Sequence, residues 1–385
     1  MSRLAAALLA CLATAASAVP HVPEGDAVVL ERLPARPNDP VMSELRALRA
    51  ALSAAPRDAR AATRLAERYF ELAMAEGDPR YVGYAEAALR PWREKEAPPE
   101  VLFMRGLLSQ YRHDFSGALS DLDAALRRDP AHVGARAWRA AIFMVQADYA
   151  AAARECRVLE GYASELLATG CIAYVDATTG NARPAYERLA SVLGRHPEAG
   201  VGPRLWTLTR LAEIDWRLGD HAAADRLFKQ ALALGADDNF LLAAYADFLL
   251  ERGRSREVVV LLKDWVRSDT LLLRLTLAER AAKLPGAAQH AQALGDRFAA
   301  SALRGERLHM AEEARYLLEL KQDARAALAV AAENWKAQRE PRDAAIVLEA
   351  AIAAGDRPAA APVLRWLEES RFESLRLHAL AAKLK

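Results

Sequence analysis

Four series of residues recur about every 34 positions, and this repetition constrains the fold more than any other feature of the sequence. Two series consist mainly of small residues and lie twelve positions apart. A third, mostly Gly or Ala, lies between them, and a fourth is bulky or apolar. The four series are Gly106, Ala140, Ala173, Ala212 and Ala246; Ala118, Ala152, Ala185, Ala224 and Val258; His113, Ala147, Gly180, Gly219 and Gly253; and Leu122, Cys156, Leu189, Phe228 and Leu262. Such a period is typical of chains built from stacked supersecondary units.

Each unit is predicted to hold two amphipathic helices joined by a tight turn. Gly or Ala at the turn tolerates a left-handed backbone, and small residues let the paired helices approach closely. Because one unit cannot bury its apolar face alone, neighbouring units must stack. We therefore expect an all-α solenoid, and no alternating β-branched or aromatic run indicates a strand. A generic Ala-rich helical bundle is the alternative, but composition alone would not hold four series in one register.

The unit resembles the tetratricopeptide repeat, a 34-residue helix–turn–helix. Leu205 to Asp238 is the clearest copy, because Ala212, Gly219, Ala224 and Ala231 match its pattern. The resemblance implies a right-handed superhelix over residues 41–385. The clearest repeats are 99–132, 133–165, 166–199, 205–238 and 239–272; the degenerate repeats are 59–98, 270–305, 306–341 and 342–371; and a capping helix is expected at 372–385.

Charge and composition exclude two other classes of protein. The 385 residues include 52 Lys and Arg against 51 Asp and Glu, so the chain lacks the basic excess of a nucleic-acid binder. Its 53% hydrophobic content with so small a net charge also argues against a disordered chain.

The N-terminus is predicted to be a targeting segment. Arg3 precedes an apolar run, and Ala16-Ser17-Ala18 is a small-x-small cleavage site, so residues 1–18 indicate a secretory signal peptide cut after Ala18. Residues 19–40 are Pro-rich and are expected to form an extended leader. A lipoprotein cut before Cys11 and a membrane anchor are the alternatives, but the apolar run is short for either. We therefore expect a periplasmic or secreted protein without a transmembrane segment.

Two cysteines remain after removal of the signal. The register places Cys156 and Cys171 on adjacent antiparallel helices at similar heights, and an exported chain permits a disulfide between them. Two buried free thiols are the alternative, because Cys also packs as a small hydrophobe.

Motifs that carry enzyme chemistry are absent from the sequence. It contains no Gly-x-Ser-x-Gly elbow, phosphate loop, dinucleotide fingerprint or His-Glu-x-x-His pair. We predict solvated or helix-capping roles for His113 and His221, and solvent-facing positions for Glu312 and Glu313. No catalytic residue, metal or cofactor is expected.

The resemblance implies that side chains of each first helix line a concave groove that binds a protein or peptide. The expected partner is an apolar or aromatic-rich segment, and the Lys and Asn set with which some family members clamp a C-terminal carboxylate is missing. The alternative is that the aromatics pack between units, a role we assign to Trp138, Trp265, Trp335 and Trp366. The predicted groove residues are Phe103, Leu107, Tyr111, Tyr174, Trp206, Glu213, Trp216, Arg217, Phe240 and Asp247.

These features together predict an exported, non-enzymatic scaffold that acts in cell-envelope assembly or secretion. Two alternatives remain open: a helical region of, or accessory to, a cell-wall-acting enzyme, and a capture protein for an apolar small ligand or lipid. The sequence leaves the oligomeric state open.

Overall fold

A computed structural model describes residues 39–92, 97–306 and 308–384. The predicted signal peptide and nearly all of the leader lie outside these residues. The chain divides at Arg46, within the first helix, and the repeats lie in the compact unit Ala47–Lys385.

The described residues form α-helices and no strand, which confirms the all-α prediction. Each of the five clearest repeats contains one pair of helices. No described helix is both long and apolar enough to cross a membrane. The helices are α1 Pro40–Ala54, α2 Ala59–Glu76, α3 Arg80–Ala88, α4 Pro99–Tyr111, α5 Phe115–Arg128, α6 Val133–Val145, α7 Tyr149–Leu159, α8 Glu165–Thr178, α9 Ala182–Arg195, α10 Val201–Leu218, α11 His221–Leu232, α12 Asn239–Glu251, α13 Ser255–Leu262, α14 Asp269–Ala281, α15 Gly286–Leu303, α16 Met310–Arg315, α17 Ala324–Ala337, α18 Pro341–Ala354, α19 Ala361–Ser370 and α20 Leu375–Ala382. A π-helical turn, Tyr316–Leu320, follows α16, and a 3₁₀ turn, Pro358–Ala360, precedes α19.

The turn inside each unit contains one left-handed residue. All five members of the third series have positive φ, from 60° at His113 to 93° at Gly219. The following Asp often caps the second helix; Asp220 Oδ1, for example, accepts from the Ala223 amide at 3.0 Å. A left-handed backbone costs a non-glycine residue about 1–2 kcal/mol, which explains why glycine is common in the series.

Small and bulky residues interlock at the centre of each unit. Phe228, Leu122 and Leu262 of the fourth series are fully buried. A Cβ added to Gly106 would lie only 2.8 Å from Leu122 Cγ. The small residues therefore set how closely the paired helices approach, and the bulky ones fill the space that remains.

Cys156 in α7 and Cys171 in α8 are disulfide-bonded in the structure, with their Cα atoms 5.3 Å apart. That separation lies within the normal range for a disulfide. The bond links two neighbouring units, 133–165 and 166–199.

The last helices fold back onto earlier units. The Arg339 amide donates to the Val145 carbonyl at 2.7 Å, and Trp366 Nε1 donates to the Tyr149 hydroxyl at 2.7 Å. The expected capping segment, 372–385, contains α20, which packs against α18 and also reaches α10. The C-terminal helices thus cover the concave face, which the sequence had indicated as an open groove.

Candidate binding cavity

A partly open cavity of about 600 Å³ lies on the concave side of the repeats. Its walls come from α8, α10, α12, α14 and α16, which are first helices of successive units, and from α18 and α20 opposite them. The cavity exists because the array curves until α18 faces α8 and α10.

Six of the ten predicted groove residues line this cavity. They come from three consecutive first helices, α8, α10 and α12, as the register implied. The six are Tyr174, Glu213, Trp216, Arg217, Phe240 and Asp247.

Three other predicted groove residues pack between units. The Trp206 ring lies on the backbone of Gly170 and meets Tyr174 edge-on. Phe103 contacts Gly134 of the next unit, and Leu107 is buried. Gly170 and Gly134 leave room for the Trp206 and Phe103 rings, so these two side chains fill gaps between helices, as the packing alternative described.

The tenth predicted residue, Tyr111, lines a separate cavity of about 1240 Å³. Asp78 and Arg304 also line this second cavity. Tyr111 meets Phe70 edge-on, with the ring centroids 6.3 Å apart. The predicted groove residues are therefore divided between two cavities and the packing interior.

Arginine–carboxylate pairs surround the first cavity. Asp247 accepts from Arg274 at 2.6 Å and from Arg315 at 2.5 Å. Burial by itself would raise the pKa of Asp247, but these two guanidinium groups lower it to about 2. On the opposite wall, Arg376 bridges Glu349 at 2.6 Å and Glu251 at 3.2 Å. The pairs join α12 to α14, α16 and α20, so they help to hold the cavity closed.

Arg210 occupies an aromatic box at one side of the cavity. Its guanidinium carbon lies 4.3 Å from the ring centroid of Phe240 and 4.6 Å from that of Tyr174, distances suited to cation–π attraction. It also pairs with Glu213 at 2.9 Å. Burial raises the pKa of Glu213, against the opposing effect of Arg210.

Arg217 has a different environment. Its guanidinium lies over the Phe372 ring, 4.4 Å from the centroid, and one terminal nitrogen donates to the Ala177 carbonyl at 2.6 Å. The other, Nη1, is buried without a hydrogen-bond partner. Burial lowers the pKa of Arg217 to about 10.

Three expectations about charged residues need correction. Glu312 does not face solvent; it lines the cavity and accepts from the Thr270 hydroxyl at 3.3 Å. His113 is mostly buried against Gln338, with 3.0 Å between their nitrogens, and His221 lines the cavity. The sequence predicts a solvent face for Glu312 and solvated or capping roles for the two histidines, because the helical period alone does not indicate the return of the C-terminal units.

Sequence reasoning missed most of the charged wall. Arg274, Arg315 and Arg342 lie in the degenerate repeats or at their edges, onto which the groove register was not extended. Extending it there could have found these positions, although it would not have shown which acids they meet. Among the described residues, no group of three or more His, Cys, Asp or Glu could hold a metal ion.

Comparison with known proteins gives structural neighbours only. No family model matches the chain, and no curated protein matches it. The chain is similar to a tetratricopeptide repeat protein from Parabacteroides merdae, with 15% identity, a TM-score of 0.46, and coverage of 62% of this chain and 92% of that one. It is also similar to the APC/C hetero-tetramer Cut9-Hcn1, with 12% identity, a TM-score of 0.47, and coverage of 85% and 63%. A third similar structure is yeast Tom70, with 11% identity, a TM-score of 0.41, and coverage of 89% of this chain and 84% of that one.

Proposed function

We propose that this protein is an exported, non-enzymatic binding protein that holds a small ligand in the cavity on its concave face. The observation that carries the proposal is the convergence of six groove positions on one cavity of about 600 Å³. Pockets for small molecules typically have volumes of roughly 300–1,000 Å³.

The size of the cavity favours a small ligand over a docked helix. A helix with its side chains is about 10 Å across and rises about 5.4 Å per turn, so the cavity would take little more than one turn. Apolar side chains such as Phe240, Leu273 and Ile346 form much of the wall, and most of the charges beside them are paired with one another.

Native mass spectrometry of the full chain tests this proposal. Protein isolated without detergent from an envelope fraction is expected to carry a bound species of a few hundred daltons. Ala244→Phe, which fills space beside the cavity, should abolish that species, whereas Ala233→Phe on the exposed surface should retain it. A folded wild-type protein without any bound species, or equal retention by both variants, would contradict the proposal.

Export is the second part of the proposal, and it rests on the sequence of residues 1–18. The mature protein recovered from a bacterial periplasm should begin at Val19, and its intact mass should show this. An unprocessed chain that remains in the cytoplasm would contradict export.

A protein partner is the second candidate function, and one observation favours it. The concave face already accepts a helix, because α20 of the same chain packs against α10 and Leu375 contacts Gly219. A partner helix that replaced α20 would use the same surface, which suits an envelope-assembly or secretion role. A peptide of residues 372–385 should therefore bind in trans to a chain ending at Arg371; no binding to a folded truncated chain would exclude this mode.

A further inference from the structure

We infer that the ligand of the cavity is an amphiphile with a single anionic head group, a carboxylate, which binds Arg217 while its apolar body lies along the cavity wall. The inference rests on the proposed binding function and specifies the class of ligand.

Arg217 differs from the other arginines of the cavity in lacking an acidic partner. Six arginines line the cavity, and five of them pair with a carboxylate at 2.9 Å or less; the five pairs are Arg210–Glu213, Arg274–Asp247, Arg315–Asp247, Arg342–Glu340 and Arg376–Glu349. Arg217 has a main-chain carbonyl and an aromatic ring instead. A guanidinium in a partly buried site binds anions through charge-assisted hydrogen bonds, so Arg217 is the available cation.

Unsatisfied nitrogens belong to three residues that line the cavity. Arg217 Nη1, His221 Nδ1 and Arg210 Nε are buried without a hydrogen-bond partner. Buried polar atoms normally have a partner, and an exception calls for an explanation such as a missing ligand. Of the two arginines, only Arg217 also lacks an acidic partner, and the Ala177 carbonyl and the Phe372 ring hold its guanidinium in place.

Nearby acids do not replace the missing anion. Glu213 is held by Arg210 at 2.9 Å, and Glu373 accepts from the Ala182 amide at 2.6 Å. The acids of the cavity limit the charge of a ligand. Six carboxylates line the wall, so a ligand with several negative charges would be repelled. A single negative charge next to an apolar body fits this balance.

The rest of the wall suits such a body. Trp216 stands one residue from Arg217 and donates to Glu251 at 3.2 Å, and Phe240, Ala244, Leu273 and Ile346 add apolar surface. A tail along these side chains would be removed from water while its head group remained at Arg217.

Calorimetric titration of the full chain with octanoate and with its neutral counterpart octanol tests the inference. Wild-type protein should bind octanoate about tenfold or more tightly than octanol, as expected for about 1.4 kcal/mol or more. Arg217→Gln should reduce that ratio to about one while octanol binding stays unchanged. Arg226→Gln is the matched control, because it removes an exposed arginine of α11 that does not line the cavity, and it should retain the preference.

The outcomes separate the two proposals. If neither probe binds to folded wild-type protein, the cavity function fails. If both bind equally, or if Arg226→Gln loses the preference as fully as Arg217→Gln, only the role of Arg217 is overturned. Circular dichroism checks folding. Should Arg217→Gln not fold, Arg217→Lys, which keeps the charge without the planar fork, is expected to reduce the preference partly, and an unchanged preference would contradict the inference.

A carboxylate can also come from the end of a peptide. Acetyl-trileucine and its C-terminal amide separate this source from a fatty acid. Preference for the free acid that is lost in Arg217→Gln would support the same anion site and assign it to a peptide terminus. Preference for octanoate alone would assign it to a free small molecule, and equal binding of acid and neutral form in both pairs would overturn the inference.

Discussion

The middle and the end of the repeat array are held together in different ways. In the middle, one buried cluster runs from Leu205 to Tyr316 through consecutive units, as in most repeat proteins. At the end, a second cluster from Ala314 to Leu384 forms a core of its own, and this region also reaches units far back in the chain, for example from Trp366 to Tyr149. Repeated core contacts thus hold successive units together, whereas single contacts between distant units hold the C-terminal helices against the concave face.

The largest expected effect lies in the periodic core. Phe228→Ala should lower the free energy of unfolding by about 3–5 kcal/mol, because it leaves a cavity at a fully buried position. Chemical denaturation measures the change. Val260→Ala, at an exposed position two residues before Leu262, should stay within about 0.5 kcal/mol; equal effects would show that the middle units do not depend on this core.

The disulfide is the next test, because it reinforces a contact between neighbours. Replacing Cys156 and Cys171 together by Ser should lower the free energy of unfolding by about 3 kcal/mol under oxidising conditions. A reducing agent should produce a similar loss in the wild type and none in the double variant. No difference between oxidised wild type and the variant would mean that the bond adds nothing to the stacking.

Acid should weaken the closing contacts of the C-terminal region. Burial lowers the pKa of His113 from 6.5 to about 4, so between these pH values the unfolded chain binds more protons than the folded one. The contribution of His113 to the free energy of unfolding is therefore fully present above about pH 6.5 and is lost as the pH falls toward 4. The loss should be about 2 kcal/mol after allowance for the partial exposure of the ring. Unfolding measured across this range should show the decline. His113→Asn, whose side chain suits the left-handed backbone, should remove the part of this decline that His113 causes. An unchanged dependence of stability on pH in the variant would contradict the role of His113.

The smallest effect concerns the turns. Gln322 has a φ of 58° at a turn where three of the five clearest units have glycine, so Gln322→Gly should stabilise the protein by about 0.5–1 kcal/mol. Gly219→Ala should be destabilising, because its φ is 93°. Thermal unfolding of the two variants measures both changes. Shifts of the same sign would show that the turns of the middle and end units are not equivalent.

The periodic part of the structure was predictable, and the closure was not. The third series indicated left-handed turns, and His113, Ala147 and Gly180 all have positive φ. The groove register likewise predicted that Tyr174, Trp216 and Phe240 share one surface, and all three line one cavity. That prediction needs only the helical period. The sequence pattern could not reveal the contact of Arg217 with Phe372, because that contact depends on the accumulated curvature of many units.

A designed cross-link tests the closure most directly. A Cβ placed on Gly180 would lie 3.0 Å from Cβ of Arg371, so a short thiol-specific cross-linker should join the two cysteines of the Gly180→Cys and Arg371→Cys variant, and peptide mass spectrometry can map the link. Gly194 has open space around it, and Gly194→Cys with Arg371→Cys is the control, expected to remain unlinked. Cross-linking of the first pair alone is the predicted result. A folded protein in which residues 180 and 371 remain unlinked would contradict closure of the concave face by the chain's own C-terminal helices.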